Sequence, residues 1–262
     1  MNHMQRVLFH STIFGPIHSR RLGTSLGINL TPDDGKICSF DCLYCEAGFN
    51  AQGPGTTGMA PRAEVARLLE EKLAAMSEAG EALDVITFSG NGEPTLHPEF
   101  PEIVDDTLRS RDRYFPQAKV SVLTNSTRLG SDAVCAALEK VDNNILKLDS
   151  ALDGTVRVLD RPNDPGFNAA GVIGRLSRFA GTGIIQTMML RGEWEGARID
   201  NTSEKEVSAL IDAYRRIRPR EIMLYSIDRP TPARTLEKIP AAELRAIGDL
   251  VAAATSIPVQ VN

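Results

Sequence analysis

Long apolar runs are missing from this sequence: no segment approaches the ~18 consecutive apolar residues that a bilayer-spanning helix requires. The first residues, MNHMQRVLFHST, also lack the apolar stretch and small-residue cleavage site of a secretory signal. The expectation is therefore a cytoplasmic chain with no membrane partner. Cysteine is scarce, four in 262 residues, and three of the four fall between 38 and 45. That is not the even, spread pattern of a disulfide scaffold; in a reducing compartment such a cluster points to metal or redox chemistry. An excess of basic charge is absent as well. The net charge of -5 argues against long, unshielded nucleic acid as a partner, although a local basic patch is compatible with it. What is present is enough apolar residue, 42%, to bury a full core, and a length that suits one larger α/β domain.

The pattern along the chain alternates. SLGINL (25–30) reads as a short strand closed by the turn signal TPDDG, and GFNAQGPGTTGMAP (48–61) as a polar, Gly-rich loop. Pro61 then opens a helix with Val65, Leu68, Leu69, Leu73 and Met76 at helical spacing. Strands are expected at 84–90, 119–125, 143–150, 183–190 and 221–227, with helices at 98–111, 131–141, 167–180, 202–217 and 240–254, and a closing IPVQVN. Apolar runs without period-two alternation, each joined to the next by a helix, indicate parallel strands buried on both faces. The fold class is α/β, as an open doubly wound sheet or as a complete or partial (β/α) barrel. In either, the C-terminal strand ends carry function. Ser89 to Thr95, Thr124, Asn125, Lys147, Asp149, Gln186, Tyr225 and Ser226 should therefore converge on one rim with the cysteine loop.

Cys38, Cys42 and Cys45 form C-x3-C-x2-C directly after the first predicted strand. A closed zinc site needs a fourth ligand. Cys135 sits beside the helical apolar stripe Val134, Leu138 and Val141 and reads as a core thiol; His18 and His97 are lone histidines. Three thiolates without a fourth suit a 4Fe-4S cluster that keeps one iron open to a small molecule.

With Tyr44 just before the last cysteine, and Ser-Gly-Asn-Gly-Glu-Pro (89–94) ending the second predicted strand, the chain resembles the radical S-adenosylmethionine (SAM) superfamily. The words GPIHSRRLGTSLGINL, CSFDCLYCE, SGNGEPTLHPEF, NNILKLDS and DRPTP are similar to a subgroup of small iron-sulfur oxidoreductases related to wyosine-forming tRNA-modifying enzymes. The resemblance implies a partial (β/α)6-type TIM barrel with outer helices. It also implies one radical SAM domain over 1–262, with an N-terminal extension (1–24) and a cluster-binding loop (38–61).

On the same resemblance, Cys38, Cys42 and Cys45 would bind three irons and SAM would chelate the fourth. One electron from the cluster would then yield a 5′-deoxyadenosyl radical that takes hydrogen from a substrate carbon. Gly90 and Gly92 would let the backbone approach the methionyl end, and Glu93, followed by Pro94, would accept from its ammonium group. Asn91 departs from the commonest double-Gly form, as a residue that tolerates left-handed backbone. Tyr44 would stack on adenine or shield the cluster. Asn125, Lys147 and Asp149 are candidates for the ribose and carboxylate, or Lys147 and Asp149 for an internal salt bridge, being two apart on one strand face. Gln186 is a further candidate: GIIQTMML keeps Gly183 and Ile185 of the superfamily's Gly-x-Ile-x-Gly adenine motif but not its second Gly.

Arg20 and Arg21 are candidates for an anionic group, while Arg215, Arg216, Arg218 and Arg220 end a helix and read as structural. Trp194 is expected in a loop, RGEWEGARIDN, as a substrate lid or packed down. The substrate expected is a small molecule or peptide, with a tRNA base and a non-catalytic zinc protein as alternatives. The implied redox partner is an electron donor such as flavodoxin or ferredoxin.

Overall fold

The structure is a computed structural model that describes residues 6–19 and 23–262; Arg20 and Arg21 lie outside the described residues. The described elements begin with strands β1 (Ile13–Ser19) and β2 (Gly23–Ile28), followed by α1 (Arg62–Glu78), β3 (Val85–Phe88), α2 (Phe100–Tyr114) and β4 (Lys119–Thr124). Next come α3 (Asp132–Lys140), β5 (Asn143–Lys147), α4 (Asp153–Leu159), α5 (Ala169–Leu176), β6 (Ile184–Trp194) and β7 (Ala197–Asp200). The chain ends with α6 (Glu204–Ile217), β8 (Glu221–Ser226), β9 (Leu236–Lys238), α7 (Ala241–Thr255) and β10 (Val259–Val261).

The sheet runs β1-β2-β3-β4-β5-β6-β8-β10, all parallel from β2 to β10, with β1 antiparallel on one edge. Among the described residues the two edges do not pair, so the barrel is partial and open. The expected six parallel strands are present, and β10 adds a seventh by pairing Val259–Val261 with Ile222–Leu224.

Local chemistry explains the helices. Pro61 caps α1, Pro101 lies in the first turn of α2, and the Ser131 side chain accepts from Val134 N–H at the start of α3. One side of the sheet is apolar: Leu26, Ile28, Ile86, Phe88, Val120, Val122, Leu146, Ile185, Ile222 and Leu224 share a core with helix residues such as Leu69, Ile103, Leu138, Leu210 and Ile247. Each such side chain contributes roughly 1.5–3 kcal/mol through burial.

The alternate residues line the concave side in layers. Deepest are Ser25 against Thr87 (2.9 Å) and Asn143 against Ser121 (3.0 Å). Above them Ile145, Ile184, Met223 and Leu123 pack together. Lys147 and Asp149 follow at the C-terminal rim, with Gln186 in register beside Lys147. The period of two thus sorts one strand set into scaffold and site.

Several sequence expectations change. The N-terminal extension (1–24) contributes β1 and the start of β2; Gly15-Pro16 interrupts its register, and an edge strand tolerates such a proline. Helix α4 escapes sequence reading because Gly154 and the β-branched Thr155, Val156 and Val158 are weak helix formers. The expected loop around Trp194 is a hairpin of β6 and β7, with both turn residues, Glu195 (φ 49°) and Gly196 (φ 80°), in the positive-φ form of a tight β-turn.

Candidate cofactor site

The cysteine loop leaves the end of β2 and is fastened on both flanks. On one side Ile37 forms a parallel bridge with Gly92, and Glu93 N–H donates to Ile37 C=O (3.0 Å). A Cβ on Gly92 would lie 1.9 Å from that carbonyl oxygen, so only glycine allows this approach. On the other side Asp41 N–H donates to Asp160 C=O and Leu43 N–H to Leu159 C=O, both at 3.0 Å, and Asn163 N–H donates to Ser39 C=O at 2.9 Å. The Asn163 side chain also donates to Cys38 C=O (3.0 Å). Between these anchors Cys38, Cys42 and Cys45 carry free thiols, Cys42 buried and the other two half-buried. Burial pushes the Cys38 thiol up to about 12 and raises Cys42 also.

Lys36 is buried beside this loop and donates to Gly48 C=O (2.8 Å). Burial opposes its charge, but Cys45, Cys38, Cys42 and Asp41 outweigh that effect and raise its pKa.

Glu93, 2% exposed, ties the 89–94 turn to β4. Its Oε1 accepts from Thr95 N–H (3.1 Å), Thr95 Oγ1 (2.5 Å) and Thr124 Oγ1 (2.7 Å), and its Oε2 from Asn125 N–H (2.6 Å). Burial raises its pKa against the pull of these four donors. Pro94 opens the short 3-10 turn that Glu93 caps. Asn125 then reaches the cysteine loop: its Nδ2 donates to Ser39 Oγ (2.9 Å) and lies 3.5 Å from Cys38 Sγ.

Asn91 is placed differently from expectation. Its φ is not positive, and its fully buried side chain accepts from Phe9 N–H and donates to Phe9 C=O and Pro32 C=O, each at 2.8 Å. It staples the N-terminal segment to the rim. Gly90 is likewise explained by packing, since a Cβ there would sit 2.1 Å from Asn29 Oδ1.

Tyr44, Lys147 and Asp149 form one buried network with Asp160. Tyr44 Oη donates to Asp149, Lys147 Nζ donates to Tyr44 Oη (2.5 Å), and Lys147 pairs with both Asp149 and Asp160. The internal salt bridge is therefore formed. Burial opposes the Lys147 charge, yet Asp149 and Asp160 hold it strongly protonated; burial also pushes Tyr44 up, and Asp160 up to about 7. Asp149 Oδ1 accepts from Met188 N–H (2.9 Å), fixing the network to β6, while Gln186 lies buried on the same strand.

Cys135, His97 and His18 are engaged elsewhere or exposed. Cys135 packs in the helix-side core with its thiol toward Leu129 C=O (3.4 Å). His97 lies 3.0 Å from Ala60 C=O and accepts from Glu99 N–H (3.1 Å), and His18 is exposed on edge strand β1. Among the described residues no group of three or more His, Cys, Asp or Glu is arranged to hold a metal ion. Three free thiols on one doubly anchored loop, facing a buried ammonium and an amide donor, are nevertheless a donor set that fits an iron-sulfur cluster.

A family model described as the radical SAM superfamily matches residues 34–193, more than half of the chain and the whole stretch from the cysteine loop to β6. The chain belongs to the radical SAM superfamily. Membership implies an enzyme that uses a 4Fe-4S cluster and SAM. This radical SAM chain is 31% identical over 227 residues to a UPF0026 protein of Synechocystis sp., covering 84% of this chain and 77% of that protein. Its fold is similar to a radical SAM methyltransferase from Sphaerobacter thermophilus (TM-score 0.65, 16% identity, 91% of this chain and 65% of that one). It is also similar to TYW1 with a lysine-pyruvate adduct bound (TM-score 0.60, 15% identity, 90% of this chain and 76% of that one). The chain thus spans just under two thirds of the methyltransferase's length.

Lys36, Asp41 and Asp160 are site residues that sequence reading does not single out. Lys36 two places before Cys38 is the one local signal; Asp160 follows the unrecognised α4. Other candidates make contacts within the fold. Trp194 packs on Phe49 (5.4 Å between ring centroids) and under Arg161, Ser226 Oγ donates to Met189 C=O (2.7 Å), and Arg215 and Arg220 donate to backbone carbonyls at Ala254 and Asp142. Tyr225 borders Tyr44 and acts on it electrostatically.

Proposed function

We propose that Cys38, Cys42 and Cys45 hold a 4Fe-4S cluster whose fourth iron is open to SAM. The observation that carries this is the doubly anchored loop of three free thiols, locked to the 89–94 turn through Ile37, Gly92 and Glu93. When bound, the cluster supplies the electron that cleaves SAM to a 5′-deoxyadenosyl radical, which takes a hydrogen atom from a substrate carbon.

The chain's own residues bind and orient. Glu93 Oε2, with one accepted hydrogen bond, has capacity left for the SAM ammonium. Asn125, Tyr44 and the Lys147–Asp149 pair, with Gln186 beside them, present polar atoms on the same concave rim for the carboxylate and ribose. Lys147 acts there as a fixed cation, paired with Asp149 and in contact with Asp160. An external one-electron donor of the flavodoxin or ferredoxin class would supply the electron.

The favoured substrate is a small molecule or peptide side chain. The wyosine-like words in the sequence support a tRNA base as the alternative, and salt-sensitive binding of tRNA tests it. Anaerobic reconstitution should yield a brown protein with about four irons per chain, and the reduced protein should form 5′-deoxyadenosine from SAM. A colourless, zinc-loaded chain that forms none refutes the reading.

A further inference from the structure

Lys36 is the buried charge that the assigned roles leave unexplained. Its side chain is 1% exposed. A buried ammonium is costly unless strong acceptors or anions surround it. Among the described residues its partners are Gly48 C=O at 2.8 Å, a neutral acceptor, and Asp41 Oδ1 at 3.5 Å. That carboxylate is shared: Oδ1 takes the Asn50 N–H at 2.6 Å, and Oδ2 lies 3.4 Å from Arg161. One carboxylate between two cations leaves positive charge over. The ammonium sits inside the cysteine loop: its acceptor Gly48 donates its own N–H to Cys45 C=O (2.9 Å), and Asp41 directly precedes Cys42; all three thiols act on it electrostatically. Lys36 is therefore a cation enclosed by the loop it precedes, and its natural counter-charge arrives when those thiols become thiolates.

We propose that Lys36 is the fixed counter-cation of the iron-sulfur site, a positioning residue that favours cluster assembly and holds the cluster's reduction potential up. The inference rests on the cluster reading above. Three thiolates outweigh the positive charge of an oxidised 4Fe-4S core, so the loaded site is anionic, and each added electron makes it more so. A nearby cation in a poorly solvated loop stabilises the reduced state more than the oxidised one. The electron comes from an external low-potential one-electron donor, which is oxidised as the cluster is reduced.

The test compares wild type with Lys36→Met and Lys36→Arg after anaerobic reconstitution, reading iron and sulfide per chain and an EPR-monitored redox titration. Thermal unfolding of each apo chain reports the fold. Lys36→Met should lower the ratio of reduced to oxidised cluster at a fixed poise at least tenfold, about 59 mV for a one-electron couple. Lys36→Arg should stay within about threefold of wild type. Should Lys36→Met fail to fold or to load, Lys36→Arg decides: loading with a near-native potential supports the charge role. A Met variant that titrates like wild type overturns the inference, as does an Arg variant that loses the cluster or shifts as far as Met. A wild-type chain that takes up no iron overturns the cluster reading itself, a distinct result.

Discussion

Replacing Glu93 by Gln tests the joint between the 89–94 turn and the rest of the rim. The carboxylate is surrounded by donors only, three on Oε1 and one on Oε2. An amide must turn its NH2 toward one set. Facing Oε1 it would meet the Thr95 N–H and two hydroxyls, so the lesser conflict is at Oε2, where it displaces the Asn125 N–H. The loss is one charge-assisted hydrogen bond, about 1.5–3 kcal/mol, together with a stranded amide N–H at about 1–3 kcal/mol. Relief of burying a charge, the same burial that raises the Glu93 pKa, offsets part of this.

A net cost of about 3 kcal/mol lowers the melting temperature by roughly 6–12 °C in a chain of this size. Displacing Asn125 also withdraws its contacts with Ser39 and Cys38, so the damage reaches the cysteine loop. If Glu93 also receives the SAM ammonium, affinity falls about 10- to 100-fold. Thermal unfolding of the apo chain and equilibrium SAM binding by the reconstituted chain measure the two effects separately. An unchanged melting temperature refutes the hydrogen-bond argument, and unchanged SAM affinity refutes the proposed contact.

Three further outcomes follow from the geometry. Single Ser substitutions at Cys38, Cys42 and Cys45 should each abolish the iron-dependent colour, whereas Cys135→Ala should keep it at a cost of about 1 kcal/mol, read by iron analysis and denaturant unfolding. Gly92→Ala forces a methyl group onto the Ile37 carbonyl and should cost about 1–3 kcal/mol while lowering iron uptake, both measured on the purified variant. Burial keeps Asp160 protonated in the folded apo chain up to about pH 7, whereas the unfolded chain ionises it near about pH 4. The folded state then binds the extra proton, so stability falls as pH rises through this window. Asp160→Asn should flatten that fall in urea midpoints recorded across it, and identical slopes would contradict the assignment.

Much of the scaffold is legible because buried parallel strands read as apolar runs and helices as 3.6-residue stripes. The site motifs, Cys38, Cys42 and Cys45 and the 89–94 turn, are contiguous words, and the structure joins the two through Ile37, Gly92 and Glu93. What escapes is what proximity in space alone creates. Asp160 lies beyond a helix of weak formers, and nothing local pairs it with Lys147 thirteen residues earlier. Asn91 reads as part of a cofactor loop, but Phe9 and Pro32, distant in sequence, claim its amide. The glycines at 90 and 92 read as room for SAM, whereas the atoms that crowd them are Asn29 and Ile37 of the chain itself.

The two-sided fastening of the cysteine loop bears on how metal and folding are linked. In a zinc finger the metal ties together segments that have no other reason to meet, so chelation unfolds the domain. Here peptide hydrogen bonds to Asp160, Leu159, Ile37 and Ser39 already hold the thiols in place. Iron uptake would then be an event within a folded chain, accompanied by release of the Cys38 and Cys42 protons that burial retains. Removal by a chelator should leave the secondary structure standing and the site refillable, a reversible exchange that can be followed by colour and circular dichroism together.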